Sequence, residues 1–167
     1  MQRSPFLRLF FLSMIALLSG CSETTSSGVP VGPVWVTLAY LVLYYGFLTK
    51  LMFVKIRLSK EYKERGEKFD RYFGQDREML AADRTQLNML EHMPVFLILL
   101  WLHGIIGEAS EATFAGALYV GMRAMYPLLL GSRLGRGLPM KLFFVTFGAY
   151  AVCLFMAVRI AMALLGT

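Results

Sequence analysis

The sequence predicts an all-α membrane protein, a bundle of four transmembrane helices, on three observations. Of 167 residues, 57% are hydrophobic and only 17% are charged, with a mean hydropathy of +0.57. A soluble domain of this size could not hide so much apolar side chain. The apolar residues also fall in unbroken runs of about 20, the length that a hydrocarbon core requires of a helix. They do not alternate with polar ones, which excludes a transmembrane barrel. Finally, the charges are gathered between the runs. Lipid cannot hydrogen-bond free backbone groups, so continuous apolar runs of this kind must be helices.

The N-terminal segment, residues 1–21, reads as an export signal. Arg3 and Arg8 supply its basic start, and the apolar stretch 9–18 is too short to span. Leu18-Ser19-Gly20-Cys21 resembles a bacterial lipobox, which implies cleavage before Cys21 and lipidation of its thiol. An uncleaved signal anchor is the alternative. Residues 22–33 are rich in Ser, Thr, Gly and Pro, as a flexible tether would be. The remaining residues, 34–167, form the expected membrane domain. Its spans are expected at 34–54, 87–106, 112–131 and 142–165.

The connections between spans carry the topology signal. Segment 58–83 mixes basic and acidic residues in a helix-like pattern, with breaks at Gly66 and Gly74. After the second span come Glu108 and Glu111, with no basic residue. After the third come Arg133, Arg136 and Lys141 around Gly135, Gly137 and Pro139. Basic connections face the cytoplasm. Both termini and the Glu108–Glu111 turn are therefore expected outside, in a bacterial inner membrane. Lipidation of Cys21 requires the same orientation. The net charge of +6 is not read as nucleic-acid binding, because acidic residues nearly cancel the basic ones where they cluster. Two cysteines, Cys21 and Cys153, give no disulfide framework. Cys153, inside the last apolar run, is expected to be a buried, unreactive thiol.

Function is best read from Arg84, Asn88 and Glu91. Their i, i+4, i+7 spacing puts them on one helix face at the mouth of the second span. Charged groups there are costly and usually face a bundle interior or a wet cavity. Arg123 lies eight residues before the end of the third span, at about 12 Å depth for 1.5 Å of rise per residue. Glu91 stands at matching depth and is its expected partner. Tyr119 and Tyr126 extend the Arg123 face, and Arg57 ends the first span. The constellation predicts a basic, hydroxyl-bearing pocket for a small anionic peptide or cofactor, beside a lipophilic substrate arriving from the membrane. A purely structural network, with Asn88 as interhelix glue, is the competing reading.

The other polar groups carry less. His92 points about 100° away from Glu91 and is expected to make an ordinary interhelix contact. His103 reads as interfacial at the outer end of the second span, and Arg159 as snorkelling from the fourth. Pro94 should kink the second span just beyond the stripe. The Met residues read as gap fillers. No metal-ligand spacing, Ser/His/Asp arrangement or phosphate loop is present.

At these residues the chain resembles the MAPEG family, the membrane-associated proteins in eicosanoid and glutathione metabolism. The resemblance rests first on Arg84-x-x-x-Asn88-x-x-Glu91-x-x-Pro94. It rests further on Gly121-Met-Arg123-Ala-Met-Tyr126, and more weakly on Val54-Lys-Ile-Arg57. It implies a homotrimer of four-helix subunits with glutathione as cosubstrate at subunit interfaces, near the cytoplasmic side. The family's glutathione contacts carry over to Arg57, Asn88, Glu91, Arg123 and Tyr126, with Arg84 at a motif position. Arg57 and Arg123 would hold its carboxylates, Glu91 its amino group and Asn88 its backbone. Some members have a Tyr seven residues after the third-span Arg, where this chain has Leu130. The group stabilising the thiolate would then come from Arg133, Arg136 or Tyr126. The implied activity is glutathione transfer or peroxide reduction on lipophilic small molecules. A non-catalytic scaffold or lipid-binding protein of the same fold is the alternative, and a small transporter is a remoter one.

Overall fold

The computed structural model describes residues 28–135 and 140–166. These form four helices: α1 (Val31–Glu64), α2 (Arg77–Ile106), α3 (Ala109–Leu130) and α4 (Met140–Leu165). The export signal, Cys21 and Arg136 lie outside the described residues. Part of the expected tether does not: Val31, Gly32 and Pro33 are already the first turn of α1. Proline is at home there, because the first turn's N–H groups have no intrahelical partner.

α1 continues ten residues beyond the expected span, as far as Glu64. It stops at Arg65–Gly66, where Gly66 takes φ 73°, a conformation that only glycine adopts without strain. α2 starts where Asp76 caps it, its carboxylate accepting the N–H groups of Glu78 and Met79 at 3.0 Å. The link from α2 to α3 is only Gly107 and Glu108, so these two helices must be antiparallel neighbours. Consecutive helices alternate in direction, and the start of α1 meets the end of α2 and the start of α3. There a Cβ on Gly32 would lie 1.9 Å from Thr113 Oγ1. Only glycine lets the two backbones approach so closely.

α2 and α3 form the centre. Each packs against the other three helices, whereas α1 and α4 touch only those two. The core runs along this centre: Val36, Tyr40 and Leu43 from α1, and Met89, Phe96 and Leu100 from α2. Ala115, Tyr119 and Val120 of α3 meet Ala149, Val152 and Met156 of α4. Phe96 and Tyr119 stack at 4.0 Å between centroids. The Tyr40 hydroxyl donates to the Met89 carbonyl at 2.6 Å, five residues before Pro94.

The outside is apolar as well. Trp35, Val42, Val95, Ile98, Phe114, Phe144, Phe147 and Leu154 are all exposed. Water would penalise such a surface and lipid would not. Three helices, α1, α2 and α4, are long and apolar enough to cross a membrane. α3 is 22 residues long but carries Tyr119, Arg123, Tyr126 and Pro127 from its middle to its C-terminal end. Its central place explains that composition. Ala112, Ala115, Gly116 and Ala117 admit the neighbouring helices, and the polar groups face protein.

Candidate functional site

The Arg84–Asn88–Glu91 stripe lies at the edge between the buried and exposed faces of α2. At 100° per residue, Asn88 is turned about 40° from Arg84 toward the core, and Glu91 about 20° the other way. That difference divides the stripe. Asn88 is half-buried and accepts a hydrogen bond from Arg123 Nη1 at 2.6 Å. Arg84 and Glu91 are exposed on the side turned away from the bundle. The expected Glu91–Arg123 ion pair is therefore replaced by an Asn88–Arg123 hydrogen bond. The two residues match in depth but not in direction around the helix.

Arg123 is 1% exposed, the largest fully buried side chain among the described residues. Its guanidinium lies over the Tyr119 ring, 4.9 Å from the centroid. Arg123 Nε and Nη2 and the Tyr119 hydroxyl are buried without a protein partner. The balance of magnitudes is informative. A hydrogen bond to a charged group contributes about 1.5–3 kcal/mol, and each orphaned donor costs about 1–3 kcal/mol. The ring contact adds roughly 0.5–2 kcal/mol. Burial of the charge itself costs several kcal/mol more. Packing alone does not explain this arginine. Its open valences suit an anionic group.

Tyr126 is half-buried and packs beside Ala81, Leu130 and Leu142. Leu130, seven residues after Arg123, is thus an apolar core residue.

Arg57 and Arg133 meet elsewhere at the same end, in an open cleft of about 550 Å³. Arg65 and Arg77 add two further cations, while Glu61, Asp76 and Glu78 supply the acids. Arg57 binds the Glu78 carboxylate and lies 3.9 Å from Glu61. Arg77 donates to the Leu134 carbonyl. Arg133 is exposed on the rim. Sequence reasoning missed Arg65, Arg77 and Glu78; the cap sequence Asp76-Arg77-Glu78 was the signal for the last two.

At the opposite end, both expected interfacial residues gain a protein partner. His103 is 0% exposed, its Nε2 lying 3.1 Å from Glu111 Oε2. Arg159 stays partly exposed and donates from Nε to the same oxygen at 2.7 Å. The turn between α2 and α3 brings Glu111 back over His103, and α4 adds Arg159. His92 makes the interhelix contact expected of it, 3.3 Å from the Tyr150 hydroxyl. Cys153 is half-buried against the main core.

A bundle with apolar outer faces and a buried arginine–amide pair at one end defines an integral membrane protein with a polar cluster inside its bundle. The family model described as "MAPEG family" matches residues 34–162, and the chain belongs to that family. No curated protein matches it.

Proposed function

We propose that the protein binds glutathione at the Arg123 end of the bundle and uses it as a transferase or peroxidase on lipophilic substrates. The buried Arg123, with two donors open beside Asn88, is the observation that carries this reading. The residues around it offer the right chemistry for a small peptide with two carboxylates and one amine. Arg123 and the Arg57 cleft offer cations, Glu91 an anion, and Asn88 and Tyr126 polar groups. Bound glutathione would supply the thiolate nucleophile. The chain's own task would be to orient the peptide and stabilise that thiolate, with Arg133, Arg136 or Tyr126 as candidates.

Assembly as a homotrimer fits the same stripe. Arg84 and Glu91 make no hydrogen bond or ion pair among the described residues and face away from their own bundle. Charges in that position are costly in a bilayer, and a second subunit would cover them. All four helices are taken to cross the membrane, α3 shielded by the other three. The basic connections then face the cytoplasm and both termini lie outside, in an inner membrane. Lipidation at Cys21 would fit that orientation.

The test is to mix glutathione with purified protein and record thiolate absorbance and conjugation to a lipophilic electrophile. Both signals are expected. Absence of both in a folded, trimeric preparation would contradict the reading. Binding without either signal favours the non-catalytic alternative, for which burial of Leu130 in an apolar cluster is the specific support.

A further inference from the structure

Tyr72 and Phe73, at 84% and 86%, are the most exposed large apolar side chains among the described residues. They stand on the connection between α1 and α2, and that connection is firmly built. Asp70 Oδ1 accepts the N–H groups of Tyr72 and Phe73 at 3.0 and 2.9 Å. Arg71 forks onto both oxygens of Asp83 at 2.9 and 2.7 Å, a geometry that fixes direction as well as distance. Gly74 approaches so closely that a Cβ there would lie 2.2 Å from the Asp70 carbonyl oxygen. Two large aromatic side chains are thus presented by a braced turn.

Beside Tyr72 a groove of about 420 Å³ runs along α1. Leu48, Leu51 and Met52 form its apolar floor, and Lys55, Arg71 and Tyr72 close its far end. The charge of Arg71 is answered by Asp83, while Lys55 makes no ion pair among the described residues. The groove is therefore apolar toward the span and cationic where α1 leaves it. Aromatic residues beside a cation at that level match the preferences of the membrane–water interface.

We propose that this groove clasps an anionic phospholipid of the adjoining leaflet. An acyl chain lies on Leu48, Leu51 and Met52, Lys55 meets the phosphate, and Tyr72 and Phe73 rest among the headgroups. A free phosphate would use Lys55 but has no need of the apolar floor or the paired aromatics. The proposal is independent of the glutathione reading, because it uses none of the same residues.

The full-length protein is reconstituted in phosphatidylcholine nanodiscs with or without phosphatidylglycerol, and retained lipid is measured by native mass spectrometry. A several-fold preference for phosphatidylglycerol is expected, lost in Lys55→Glu and kept in Lys60→Glu, farther along α1. Inorganic phosphate should not displace the retained lipid. Phe73→Trp alters only an exposed side chain, so it provides a second readout. Its added fluorescence should be quenched more by brominated phosphatidylglycerol than by brominated phosphatidylcholine. Equal retention of the two lipids, displacement by phosphate, a preference that survives Lys55→Glu, or equal quenching would overturn the proposal. Equal quenching is also the outcome if a second subunit covers the groove.

Discussion

The two ends of the bundle use similar polar residues in opposite ways. At one end, His103, Glu111 and Arg159 converge on a single carboxylate oxygen, tying α2, α3 and α4 together. At the other, Arg123 meets Asn88 through one nitrogen and leaves two more without a protein partner. Arg84 and Glu91 stand nearby, facing outward. The first network leaves only His103 Nδ1 buried without a partner and stabilises a particular packing. An open one costs stability and is explained by what it binds. The contrast separates polar residues that hold the bundle from those proposed to serve a ligand.

The sharpest way to break the contrast is Arg123→Met. Removing the cation proposed to pair with a glutathione carboxylate should lower glutathione affinity on the order of a hundredfold. Because the arginine is poorly paired, the unfolding temperature should stay level or rise. A large loss of stability instead would make Arg123 a packing residue. Glu111→Ala should do the reverse. It strands His103 and Arg159, and because the cluster is partly exposed the expected cost is about 1–2 kcal/mol by denaturant unfolding. Glutathione affinity should remain that of the parent.

Glu91→Gln sharpens the open end. The side chain is exposed in the subunit, so stability should change little. Affinity for glutathione should fall about tenfold by calorimetry, as expected for a lost charge-assisted hydrogen bond. The smallest effect concerns the connection between α1 and α2. The N–H groups of Phe73 and Tyr72 hold the Asp70 carboxyl below its ordinary value of 3.8. A lowered folded-state pKa contributes stability above that value, and the contribution is lost as pH falls through the folded-state pKa. Protection of the Tyr72 and Phe73 amides, relative to intrinsic exchange at each pH, should therefore hold at neutral pH and fall only below about pH 4.

Much of this was legible in the sequence because it depends on local rules. Apolar run length gave the helices, Gly66 and Gly74 marked the turns around the polar connection, and the stripe on α2 led to Asn88 and Arg123. What escaped depends on direction around a helix and on the neighbours a helix acquires. Depth matching paired Arg123 with Glu91, but rotation about α2 turns Asn88 inward and Glu91 outward. His103 and Arg159, each read alone, looked interfacial. They meet only because the Gly107–Glu108 turn folds Glu111 over the end of α2. Nor does composition mark the burial of Arg123, since it comes from the central position of α3.

Side-by-side glutathione titration of the parent protein, Arg123→Met and Glu111→Ala, in matched folded preparations, tests the central claim most directly. The account predicts saturable binding in the parent and in Glu111→Ala, with affinity on the order of a hundredfold weaker in Arg123→Met. Equal binding by all three, or none by the parent, would contradict it.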